Sequence, residues 1–85
     1  MFTVYCLYSR SFDKIYVGYT SDLTQRFRSH NELSKKGFTL KFRPWIVAHT
    51  EVFETKSEAM AREKQLKTAA GRAFLRQFIN DNYRS

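Results

Sequence analysis

The sequence predicts an α/β chain of the α+β kind: a three-stranded antiparallel sheet flanked by helices, in the order ββαβαα. Three observations predict it. Runs rich in β-branched and aromatic residues stand at positions 2–8, 14–19 and 45–53. A capping box, Thr55-Lys56-Ser57-Glu58, announces a helix after the last of these runs. The final third of the chain then repeats its apolar residues at helical spacing.

The elements follow in order. Residues 2–8 form the first strand, and residues 9–13 are a turn short enough to make the next run, 14–19, its hairpin partner. Gly18 inside that second strand marks a place where a backbone or ligand comes close. Residues 22 to about 33 read as a helix, with Ser21 or Thr20 as N-cap and Asp22 suited to its positive end. Residues 34–43 read as an irregular basic stretch, after which Pro44 opens the third strand, 45–53. The capping box starts a helix reaching about residue 69. Gly71 separates it from a last helix, 72–80, with Phe74, Leu75, Phe78 and Ile79 toward the core. The reading is one domain over 1–85, ordered from about 2 to 80, with 81–85 a polar tail.

Composition narrows the function. With Cys6 as the single cysteine, disulfides are excluded, and Cys6, His30 and His49 are too far apart to suggest a zinc set. The core must come from the aromatics, 16% of residues. Fifteen basic against eight acidic residues give +7, a balance that attracts polyanions. The basic residues do not gather on one amphipathic helix, which argues against a membrane surface. The apolar start lacks a basic leader and no run spans a bilayer, so the expected location is cytoplasmic.

Polar residues fall where apolar ones are expected. On a helical wheel Leu23, Phe27 and Leu33 mark the core side of the first helix, and Arg26 and His30, spaced i, i+4, project into the same arc. An arginine there needs an anionic partner, or else it snorkels beside a satisfied core histidine. In the next helix Ala59, Leu66 and Ala70 mark the stripe, and Glu63 lies within or beside it. Glu63 is either a metal-holding carboxylate or one half of an i, i+4 ion pair with Lys67. Tyr5 and Tyr16 fall on adjacent strands and can lie side by side, as ordinary core or as part of a site. Taken together they form a cluster of tyrosine, cation and carboxylate in a basic protein.

These residues resemble the GIY-YIG nuclease family. Val4-Tyr5-Cys6 and Tyr16-Val17-Gly18 stand for the two naming triplets, with Tyr5, Tyr16 and Gly18 kept. The run from Thr20 to His30 resembles the family's first helix, and Arg62-Glu63-Lys64-Gln65-Leu66-Lys67 the helix of its metal-binding glutamate. Phe42-Arg43-Pro44-Trp45 adds a likeness to short stand-alone bacterial members, and the whole is similar to the nuclease domain of the excinuclease UvrC. The late asparagine of many members has only Asn80 and Asn82 as candidates, and neither aligns convincingly.

The resemblance implies phosphodiester hydrolysis with one Mg²⁺ or Mn²⁺ held by Glu63, Arg26 clamping the phosphate, and Tyr5 positioning the water or Tyr16. Tyr16 is the implied general base, with His30 as competitor or orienting group. Gly18, Tyr19 and Lys67 are expected at the nucleic acid. Lys35, Lys36, Lys41 and Arg43, with Phe38 and Phe42 between, read either as a backbone-tracking surface with stacking platforms or as a solvated loop. The expected partner is nucleic acid, DNA before RNA, with low sequence specificity and a role in repair or recombination. A protein partner or a homodimer stays open. The rival readings are a non-catalytic binding module of this fold and a metal-free ribonuclease.

Overall fold

The computed structural model describes residues 1–33 and 38–83. Strand β1 (Phe2–Ser9) is the centre of a three-stranded sheet, with β2 (Lys14–Thr20) on one side and β3 (Ile46–Phe53) on the other, both antiparallel to it. The helices are α1 (Leu23–Arg28), which runs on into a π-helical turn (Ser29–Leu33), then α2 (Phe38–Lys41), α3 (Lys56–Leu66) and α4 (Ala69–Tyr83).

Strand β1 is buried from Val4 to Ser9 because both of its faces are covered. Val4, Cys6 and Tyr8 pack with Ile15 and Val17 against Ala59 and Leu66 of α3 and Leu75 and Ile79 of α4. Tyr5 and Leu7 point the other way, into a smaller cluster around Trp45 that Tyr16, Leu23, Phe27 and Phe42 complete. The single-residue alternation of the strand thus divides a helix-backed core from an aromatic face that carries the site.

The β1–β2 turn is fixed from outside. Asp13 takes a left-handed backbone, φ 53°, which Asp tolerates better than most residues. Its carboxylate accepts from the Tyr8 hydroxyl at 3.1 Å and from Arg76 of α4 at 2.9 Å.

Several expectations need correction. The cap of α1 is Asp22, whose Oδ1 accepts from the Gln25 N–H at 3.1 Å, while Thr20 Oγ1 accepts from Asp22 N–H itself. The stretch 34–43 is not irregular throughout, since α2 forms within it. Strand β3 begins at Ile46 because Trp45 pairs elsewhere: its N–H donates to Asn31 Oδ1 at 2.6 Å, its carbonyl accepts from Asn31 Nδ2 at 3.0 Å, and its indole N–H donates to the Thr39 carbonyl at 2.8 Å. Gly71 does not separate two helices but lies inside the first turn of α4. Thr68 begins that turn, its Oγ1 accepting from Gly71 N–H at 3.2 Å, and a Cβ at Gly71 would collide with the Gln65 carbonyl and the Leu66 backbone. The glycine therefore lets α3 and α4 meet closely. Finally, the helix continues to Tyr83, whose hydroxyl donates to the Ala48 carbonyl at 3.1 Å. Of the core residues expected on these helices, Phe74 and Ala70 are exposed.

Candidate active site

The site is an open cleft of about 490 Å³ beside β2, reached from β1, β2, α1 and α3. Its walls include Tyr5, Tyr16, Gly18, Tyr19, Arg26, Glu63 and Lys67, so seven of the residues singled out in the sequence meet in one place. His30 lies directly behind them.

The register of the hairpin sets the two tyrosines. Tyr5 stands opposite Gly18, and Leu7 opposite Tyr16, so the tyrosines are diagonal rather than side by side. Their rings are 6.4 Å apart and inclined by 27°. The pairing also explains Gly18: a Cβ there would come within 2.6 Å of the Tyr5 hydroxyl oxygen and 2.8 Å of the ring carbon bearing it. Gly18 clears room for the Tyr5 ring, and it also lines the cleft.

His30 sits on the π-helical turn, 8% exposed, with its ring 4.7 Å from that of Tyr16 and its Nε2 3.0 Å from the Tyr5 hydroxyl. The turn is widened where Arg43 reaches in, its Nε donating to the His30 carbonyl at 2.6 Å and a terminal nitrogen to the Ser29 carbonyl at 3.2 Å. These are carbonyls that a continuing α-helix would use. Arg43 therefore braces the histidine from behind, where the sequence suggested a nucleic-acid contact.

Arg26 corrects the wheel. None of the residues of α1 is buried, and Arg26 is exposed at the cleft rim. Its guanidinium hydrogen-bonds the Tyr5 hydroxyl and lines the opening, where an anion can meet it. Glu63 makes the i, i+4 ion pair offered for it and lines the cleft. Its side chain is 17% exposed in the cleft wall and pairs with Lys67 Nζ at 3.4 Å.

Electrostatics divide the groups. Burial pushes the Tyr5 hydroxyl up to about 12, against the opposing pull of Arg26, so Tyr5 is a neutral donor or acceptor at neutral pH. Burial, then repulsion from Arg26 and Arg43, holds His30 below the ordinary histidine value. A neutral imidazole meets the Tyr5 hydroxyl through Nε2 as donor or acceptor, according to its tautomer.

Among the described residues no three His, Cys, Asp or Glu side chains gather as a ready-made metal cage, and Glu63 is the one acid in the cleft wall. That donor set fits a hard cation which keeps water and shares substrate oxygens, as Mg²⁺ does. Lys41 is exposed on α2, outside the cleft wall; Lys35 and Lys36, with the Leu33 and Phe38 side chains, lie outside what is described. Asn80 and Asn82 are exposed on α4, with Asn82 donating to the Phe78 carbonyl, and neither lines the cleft.

Two features escaped the sequence reading. Lys56 lines the cleft, and its spacing from Glu63 and Lys67, i, i+7 and i+11 on one helix, was the available signal. On the opposite sheet face, Glu51 accepts from Arg62 at 2.8 and 3.0 Å and lies 2.8 Å from His49 Nε2. The i, i+2 spacing of His49 and Glu51 on a strand was its only trace.

Comparison with known proteins agrees with this geometry. The profile of the GIY-YIG catalytic domain matches residues 1–76. A UPF0213 protein of Bacillus velezensis is 40% identical over 73 residues, covering 86% of this chain and 73% of the relative. UPF0213 proteins of Staphylococcus haemolyticus and Halobacterium salinarum are 38% and 42% identical, over 66% and 61% of this chain and 68% of each relative. No solved structure matches the chain. No helix among the described residues is long and apolar enough to cross a membrane. A match across almost the whole chain, on the residues that build the cleft, settles the family: this chain belongs to the GIY-YIG nucleases.

Proposed function

We propose that the chain is a divalent-metal-dependent endonuclease that hydrolyses DNA phosphodiesters with little sequence specificity, in repair or recombination. The observation that carries the reading is the meeting of Tyr5, Tyr16, Arg26 and Glu63 in one open cleft, with neutral His30 behind it. Glu63 would hold one Mg²⁺ or Mn²⁺, which supplies charge neutralisation at the phosphoryl and leaving oxygens when bound.

The protein's own groups do the rest. Arg26 presents a planar fork to the nonbridging oxygens and stabilises the charge of the transition state. Lys67 and Lys56 add positive charge to the same wall and draw the backbone in. Tyr16 faces the cleft, whereas His30 does not line it, so Tyr16 meets the attacking water and takes its proton. His30 fixes the Tyr5 hydroxyl from behind, and Tyr5 in turn holds the water beside Tyr16.

Nicking of supercoiled plasmid at low salt with Mg²⁺ or Mn²⁺ tests this. The wild type nicks; chelator and Glu63→Ala each abolish it, a loss of at least about 100-fold. The Glu63–Lys67 ion pair favours a second reading, a binding module without chemistry. Equal DNA binding by both proteins with no nicking by either would establish that reading instead.

A further inference from the structure

The hairpin tip carries an aromatic that the fold does not need. Phe12 is 49% exposed, and its ring meets Phe42 edge-on at 5.4 Å. Lys14 places its Nζ 5.6 Å from the Phe42 ring centroid, and Lys41 is exposed beside Phe42 in sequence. This is an aromatic pair interleaved with cations in a chain of net charge +7.

Three facts relate the pair to the cleft. Lys14, Tyr16 and Gly18 alternate along β2 and share its aromatic face. Phe42 packs against the same cluster as Tyr16, which itself meets Trp45 edge-on at 6.4 Å. Lys14 is two residues from Tyr16, about 7 Å along the strand, so at most about two nucleotides separate it from the cleft even at the roughly 3.4 Å rise of a duplex strand. The platform is also held rigid. Its neighbour Asp13 is pinned by Tyr8 and Arg76, which also neutralises the one acid in the turn, and Arg10 donates to the Tyr83 carbonyl at 3.4 Å.

We propose that Phe12, with Phe42 and Lys14, stacks an unpaired base of single-stranded DNA next to the cleft, so that the enzyme's substrate class is DNA with a single-stranded arm beside the scissile bond. A flat exposed ring takes any base, while Lys14 and Lys41 take the phosphates on either side, which gives structure preference without sequence preference. The inference rests on the nuclease reading for its placement of the scissile bond.

Fluorescence anisotropy in chelator, without cleavage, tests it. The probes are a labelled forked duplex with one single-stranded arm and a blunt duplex of the same sequence. The wild type binds the fork more tightly. Phe12→Ala and Phe12→Leu each lose roughly 5- to 100-fold on the fork, a loss larger than any on the blunt duplex, and Phe12→Tyr restores the preference. Phe12→Leu keeps apolar packing on Phe42 while removing the flat ring, and thermal melting confirms the fold of each variant. Undiminished fork binding by Phe12→Leu, or equal losses on both probes, overturns the proposal. Such a failure leaves plasmid nicking by the wild type intact, whereas failure of the nuclease reading abolishes nicking and leaves the binding comparison readable.

Discussion

Arg62 and Glu63 are consecutive residues of α3, yet they belong to opposite kinds of polar cluster. Arg62 turns to the helix-backed face and meets Glu51 through two nitrogens, while His49 holds the same carboxylate and Phe74 lies under the guanidinium at 5.9 Å. Each charge in that group has its counterpart. Glu63 turns to the cleft, where, among the described residues, Arg26, Lys56 and Lys67 face a single carboxylate across an open wall. A matched cluster holds the fold together and has nothing left for a ligand. A cluster with three cations to one acid contributes little to folding and is electrostatically incomplete until an anion arrives.

The comparison can be broken or sharpened by substitution. The largest effect belongs to the cleft: Arg26→Ala lowers plasmid nicking by about 100- to 1,000-fold, since it removes a preorganised donor from the phosphate. Its melting temperature moves little, because the side chain is exposed. A large drop in stability with nicking retained would reverse the assignment of the two clusters.

Next comes the closed network. Glu51→Gln unfolds at lower urea, with a stability loss of about 1–2 kcal/mol discounted for its partial exposure. It retains nicking under conditions where it is folded.

A smaller effect separates the clusters by pH. His30 is held below its ordinary value, so the unfolded chain takes up a proton near pH ~6.5 while the native one does not. This contribution is full above that value and declines as pH falls toward the lowered native one. Glu51 is also lowered, first by its Arg62 hydrogen bond, so its contribution is present above the ordinary carboxylate range and lost as pH falls through the native value. Chemical denaturation across pH should show two separate declines, the upper one missing in His30→Gln and the lower one missing in Glu51→Gln.

The smallest effect is that of Lys67→Met. Its pair with Glu63 is half-exposed and changes stability by less than about 0.5 kcal/mol. DNA binding weakens, and the salt dependence of binding loses about one phosphate contact.

What the sequence revealed follows a physical line. Strands, the Thr55–Glu58 cap and the order of elements are local, and local propensity reported them. The convergence of Tyr5, Tyr16, Arg26 and Glu63 was legible from polar residues on expected core faces and then from the family pattern, while the wheel misjudged Arg26 because α1 lies at a rim with no buried residue. What escaped was set by distant partners. Asn31 takes Trp45 out of β3, Arg43 widens the turn under His30, and the end of α3 requires a glycine at position 71. Gly18 was noticed for its place in a strand, but its cause, the ring of Tyr5, appears only with the register. The His49–Glu51–Arg62 network joins β3 to α3, and no periodicity within one element announces it.

The most direct test compares the two neighbours on α3. Arg62→Ala and Glu63→Ala are measured side by side for plasmid nicking with Mg²⁺ and for urea unfolding. The account predicts a crossed result: Arg62→Ala unfolds more readily but still nicks when folded, and Glu63→Ala is as stable as the wild type but does not nick. Loss of nicking in folded Arg62→Ala together with activity in Glu63→Ala would contradict it.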